Sequence, residues 1–149
     1  MKLKVAFVGF RRGRSKQVAK AIEAGSAVRL DVAEIAESRA DAAGLAAGYD
    51  AVFVSTAAGI KRLDGLVGEV RRDNAHIPIV ITYGEEPDGG AFQLAARHDC
   101  WLFSEIDRLK RGLTAEEIGQ ELESRVEASE LGSRLMEISL QGGPCSTGD

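Results

Sequence analysis

Five short apolar runs, most of them followed by a stretch with helical periodicity, constrain this chain more than any motif it carries. Leu3-Lys4-Val5-Ala6-Phe7-Val8-Gly9, Ala51-Val52-Phe53-Val54-Ser55, Pro78-Ile79-Val80-Ile81-Thr82 and Trp101-Leu102-Phe103 read as strands buried on both faces of a parallel sheet. Ala27-Val28-Arg29-Leu30-Asp31-Val32 instead alternates apolar with charged residues, which predicts one exposed face and a place toward the sheet's edge. Between the strands, Val18, Ala19 and Ile22 share one helical face, with Ser15 expected to cap that helix and Gly25 to end it. A second, Ala-rich helix is predicted over 38–48, and a third carries Leu63, Leu66, Val67 and Val70 up to the Arg71-Arg72-Asp73-Asn74 cluster. A turn-rich acidic loop, 84–90, precedes a short helix through Phe92 and Leu94. Thr114-Ala115-Glu116-Glu117 has the form of a capping box, and it opens a helix with Ile118, Leu122 and Val126 in one stripe and Gly132 as its expected break. Strands alternating with helices imply an α/β fold: a three-layer, doubly wound, five-stranded parallel sheet with right-handed crossovers.

Size and composition fit one such unit. At 149 residues, 44% hydrophobic and 28% charged, the chain can bury one sizeable core. Residues 1–131 are read as the domain, and 132–149 as a helical extension ending in a disordered Gly/Ser/Pro-rich tail. No apolar run approaches the roughly 20 residues that cross a bilayer, and the first residues lack a signal-peptide pattern, so a cytoplasmic protein without membrane contact is expected. Cys100 and Cys145 have no metal-ligand spacing, and no metal or cofactor is expected. The net charge of −4 argues against broad nucleic-acid binding. Its distribution is uneven, with eight Lys or Arg against Glu23 alone in residues 1–30, and eight acids against Arg125 and Arg134 from Thr114 onward. Two differently solvated faces account for this pattern, and electrostatic steering of a partner or second copy is the alternative.

Three details give the chain a family likeness over roughly residues 3–128. Tyr49-Asp50-Ala51-Val52-Phe53-Val54-Ser55 resembles the third strand of bacterial response-regulator receiver domains, and Leu63-Asp64-Gly65-Leu66 resembles the Met-Asp-Gly segment opening their next helix. Thr82, followed nineteen residues later by Trp101, is similar to their switch hydroxyl and switch aromatic. The resemblance implies a flavodoxin-like sheet in the order 2-1-3-4-5. It also implies a phosphorylation site: a carboxylate nucleophile after the third strand, acids after the first to hold Mg²⁺, and a Lys after the fifth. Here the degenerate phosphoacceptor position carries Ser55, the acidic pair is replaced among Gly9, Phe10 and Arg11, and the Lys position aligns with Ser104, followed by Glu105. A Ser without a base or metal accepts phosphoryl groups poorly, and arginines repel Mg²⁺. The loop after Ser55 also reads about two residues longer than the family's.

The expectation is therefore a pseudo-receiver: a signalling or regulatory module that works through protein–protein interaction without aspartyl phosphorylation. Its partner surface would include Phe92, Trp101, Ile106 and Leu109, which otherwise read simply as core, and its last helices, through Leu135 and Ile138, would pair two copies into a homodimer. The alternative is anion, phosphate or nucleotide sensing in the crevice between the first and third strands, held by Gly9, Arg11, Arg12, Gly13, Arg14, Ser15 and Thr56. This loop matches neither the P-loop nor the dinucleotide pattern, and a solvated basic loop is the plainer reading. No catalysis is expected, because His76 and His98 stand apart from Ser55 and Cys100 and no triad forms.

Overall fold

The computed structural model describes residues 2–83, 89–104 and 112–141, with side chains for 2–83, 90–104 and 112–128. Five strands, β1 (Lys2–Val8), β2 (Arg29–Ile35), β3 (Ala51–Ser55), β4 (Ile79–Tyr83) and β5 (Trp101–Ser104), form one sheet in the order β2-β1-β3-β4-β5. Every pairing is parallel. Helices α1 (Arg14–Ala24) and α5 (Ala115–Gln141) cover one face. The other face carries α2 (Ala42–Gly48), α3 (Ile60–Asp73) and α4 (Gly89–Arg97). This is the flavodoxin-like, doubly wound arrangement that the strand–helix alternation requires.

The strand period of two sorts the core into two clusters. Leu3, Val5 and Phe7 of β1 turn toward α1 and α5, where they meet Phe53, Val80, Phe103, Ile22, Ile118 and Leu122. Ala6 and Val8 turn the other way and pack with Val52, Val54, Ile79, Ile81, Leu63, Val67 and Leu94. Central β3 and β4 are buried on both faces, whereas β2 at the edge has exposed Arg29, Asp31 and Glu34, as its charge alternation predicts.

Local chemistry moves several boundaries. Ser15 does not cap α1: Gly13 occupies the cap position with φ +81° and no side-chain cap, while the Ser15 hydroxyl is fully buried and donates to Glu34 of β2. Helix α2 is shorter than the Ala-rich stretch because Asp41 accepts from the Gly44 N–H at 3.1 Å and starts the helix there, leaving 37–39 as a 3₁₀ turn. The β2 strand begins later than the alternation suggests, with Arg29 opposite Lys2 and the Glu23 carboxylate holding the Leu30 N–H at 2.7 Å. The Thr114 capping box forms in both directions, Glu117 N–H to Thr114 Oγ1 at 3.1 Å and Thr114 N–H to Glu117 Oε1 at 2.9 Å. Helix α5 runs through Gly132 to Gln141 without a break; one helical glycine costs only about 1 kcal/mol.

Candidate functional site

In a sheet of this order the winding of the chain reverses between β1 and β3, the strands staying parallel, and the crevice outside their carboxyl ends is the fold's customary ligand position. The structure brings Gly9, Arg11, Arg12 and Gly13 of the β1–α1 loop to one side of that crevice and the 56–58 turn to the other. The two sides touch. A Cβ built on Gly9, which has φ +75°, would lie 2.7 Å from Ala58 Cβ and 3.7 Å from Glu37 Cβ. Only glycine fits there, and the two loops meet across the crevice at this point. The turn after Ser55 forms this plug: the Ser55 hydroxyl accepts from the Ala57 N–H at 3.3 Å, and Gly59 N–H closes the turn on the Thr56 carbonyl at 3.1 Å. Glu37 beside the plug is tied to Arg62 of α3 at 3.3 Å.

The sequence-derived anion residues divide into two groups. Arg11 and Arg12 are exposed and make no side-chain hydrogen bond or ion pair among the described residues. Arg14 donates along its own helix to Gln17 Oε1 at 3.3 Å, and Ser15 is buried against Glu34 and so is not presented to the crevice as the loop reading expects. Phe10 turns inward and meets Phe7 edge-on with ring centroids 5.0 Å apart. The half-buried Thr56 is spent on the plug.

Among the switch-like positions, Thr82 is 5% exposed, and its hydroxyl has no partner among the described residues. In the sheet register Thr82 lies opposite Phe103, while Trp101 lies two rungs lower, opposite Val80. Ser104 stands opposite Tyr83. Trp101 is half-buried against the α1/α5 core with the Arg125 guanidinium 5.1 Å from its ring centroid. Phe92 of α4 is the large hydrophobic side chain left exposed among the described residues, at 37%, with Tyr83 behind it at 6.2 Å between centroids. Ile106 and Leu109 lie outside the described residues, as do Glu105 and Cys145.

Sequence reasoning missed a polar cluster between α3 and the α4–β5 turn. Arg71 donates to the carbonyls of His98 (2.9 Å), Asp99 (3.1 Å), Asn74 (3.4 Å), Ala75 (3.1 Å) and Ile77 (2.6 Å). About two turns earlier on α3, Asp64 Oδ1 meets Arg97 NH1 and His98 Nε2, both at 2.8 Å. The His98 hydrogen bond, aided by Arg97, holds the Asp64 carboxyl below the usual carboxylate range. Gly68 leaves room for this, since a Cβ there would stand 3.2 Å from the His98 ring. Burial pushes the Cys100 thiol up to about 11, the behaviour of an inert packing cysteine. Among the described residues no three His, Cys, Asp or Glu side chains converge in a metal-binding group, and no helix is long and apolar enough to cross a membrane.

Comparison with known proteins places the fold. No protein-family model matches the sequence. No curated protein sequence matches it either. Among solved structures, NtrX from Brucella abortus, crystallised with ADP, is similar over 93% of this chain with a TM-score of 0.60 and 18% identity. This chain spans 29% of the NtrX chain. A pilus assembly protein, CpaE, from Burkholderia thailandensis is similar over 84% of this chain and 98% of its own, with a TM-score of 0.56 and 8% identity. What these likenesses share with the geometry above is the fold: a receiver-like, flavodoxin-like sheet in the order 2-1-3-4-5.

Proposed function

We propose that this chain is a phosphorylation-independent, receiver-like regulatory module that acts in signalling by binding other proteins. The observation that carries the reading is a contact across the crevice paired with an exposed aromatic: Ala58 packs against Gly9 beside where a receiver's chemistry would sit, while Phe92 stands out of α4. Ser55 supports it further, because its hydroxyl accepts the Ala57 N–H and so serves the turn. The partner face runs from Phe92 to Trp101 and Arg125, and the part of α5 beyond Ala128 supplies pairing with a second copy. A cytoplasmic setting without a membrane span or metal cofactor belongs to the same reading.

Anion binding at Arg11 and Arg12 is the second reading, favoured by the two unengaged guanidinium groups. One experiment separates them. The full chain is incubated with Mg²⁺ and acetyl phosphate and weighed intact, then the partner retained by immobilised protein is compared among variants. We expect no phosphoryl adduct, and a partner affinity reduced at least about tenfold by Phe92→Ala or Trp101→Ala but unchanged by Arg11→Ala with Arg12→Ala. A stable adduct overturns phosphorylation independence. Loss confined to the arginine pair moves the function to the crevice.

A further inference from the structure

At the amino end of the strands, the pole opposite the crevice, the surface folds into a cleft of about 680 Å³. It lies between the start of β1, the α2–β3 corner, the α3–β4 loop and one flank of α5. Its size is that of a small-molecule site, typically about 300–1,000 Å³. The floor is apolar: Leu3, Ile77 and Leu122 are at most 6% exposed and Val126 is half-buried beside them.

The rim carries two cations. Lys2 and Arg125 stand around the floor beside His76, and among the described residues neither enters an ion pair. Among the described residues Asp50 is the one acid lining the cleft, and its carboxylate already accepts the Lys4 N–H at 2.8 Å. The loop that carries His76 is fixed by Asn74, which accepts from His76 and Ile77 N–H at 3.0 and 3.1 Å and donates to the Ala46 carbonyl at 3.1 Å. Arg125 is held as well, through its bond to the His76 carbonyl at 3.1 Å and its place over Trp101, which leaves its other N–H groups unspent. A side chain ordered in advance loses little entropy on pairing. The carboxyl end of α3 points toward this pole and its partial negative charge would oppose an anion, but the Arg71 guanidinium in its last turn, bonded to the loop carbonyls of Asn74, Ala75 and Ile77, offsets that charge.

We propose that this cleft binds a small amphipathic carboxylate, an alkyl or aryl acid whose apolar body lies on Leu3, Ile77 and Leu122 and whose carboxylate pairs with Arg125, with Lys2 adding charge. A polyphosphate is a poor match, because neither a helix N-terminus nor a glycine-rich loop lines the cleft. The cleft shares Arg125 with the edge of the partner face proposed above and is separate from the crevice.

Octanoate is the probe, with octanol and octylamine as neutral and cationic analogues of the same length, titrated into the full chain and followed by amide shifts and by the indole N–H of Trp101, the chain's single tryptophan. We expect saturable shifts centred on Leu3, Ile77 and Val126 with octanoate, and affinity at least about fivefold weaker for octanol and octylamine. Arg125→Gln and Lys2→Gln, both at exposed positions, should each weaken octanoate without changing octanol. Arg11→Ala with Arg12→Ala should change nothing. Absence of saturable shifts, shifts centred on Phe92 or on 9–13, equal affinities for octanoate and octanol, or octanoate binding indifferent to Arg125→Gln would each overturn the assignment.

Discussion

The two faces of this one sheet are held by different physics. Toward α1 and α5 the core is aromatic: Phe7 stacks on Phe53 with centroids 4.6 Å apart and planes 11° from parallel, Phe10 meets Phe7 edge-on, and Phe103 and Trp101 extend the layer. Toward α2, α3 and α4 the buried cluster is built of Ala, Val, Leu and Ile alone, and polar anchors at Arg71, Asn74 and Asp64 fasten its helices and turns. Large rings bury much area per residue and hold their helices by packing. Small aliphatic side chains let α2 and α3 approach closely but leave more of the fastening to hydrogen bonds.

That contrast predicts its largest effect on the aromatic face. Phe53 is fully buried, so Phe53→Ala should cost about 3–5 kcal/mol in urea unfolding, through lost transfer energy and a cavity under Phe7. Leu63→Ala, equally buried on the opposite face, should cost about 2–4 kcal/mol. A Leu63 variant hit harder than the Phe53 variant would break the comparison, since the aliphatic face would then hold the larger share of the stability.

The polar face is tested at its hub. Arg71→Ala removes a charged donor from five carbonyls and should cost about 2–3 kcal/mol, with amide exchange accelerated at 98–101 before the rest of the sheet opens. Arg71→Lys keeps the charge but loses the planar fork, and should recover less than half of that. Full recovery by Lys would mean that charge at the end of α3, and not the carbonyl geometry, does the fastening.

The same contrast explains what could be read from the residues. The strands and helices, the exposed edge at β2 and most core positions were legible because burial imposes a period on the sequence, two in strands and 3.6 in helices, and the Thr114 cap from its residue pattern, whereas the strand order was legible only through the likeness to receiver domains. Arg71 was not, because Arg71-Arg72-Asp73-Asn74 looks like any solvated helix end, and its acceptors at 98 and 99 arrive only when β5 is laid beside β4. The crevice was legible as a place, since strand ends and glycines mark it. Its closure was not: Ala58 says nothing until its distance to Gly9 is known, and Ser15 reads as a cap until Glu34 takes its hydroxyl. The amino-end cleft left no signal at all, because Lys2, His76 and Arg125 are scattered along the chain and meet only through topology.

The smallest effect expected is the one that sharpens the contrast most selectively. Asp64 has a carboxyl lowered chiefly by the His98 hydrogen bond, with Arg97 beside it. A carboxyl that is more acidic in the folded chain contributes stability fully above its unfolded value near about 4, and loses it as pH falls through the lower folded value. The brace between α3 and α4 should therefore weaken in acid below about pH 4, while the aromatic face, which carries no titrating group in its core, does not respond. Asp64→Asn keeps an acceptor for His98 but cannot titrate, so its stability should vary less with pH than the parent's across that window. At neutral pH the loss should be small, since both Asp64 and Arg97 are substantially exposed to solvent. Parallel stability–pH curves for the two proteins would show that the acid sensitivity lies elsewhere and that Asp64 acts on α4 by position alone.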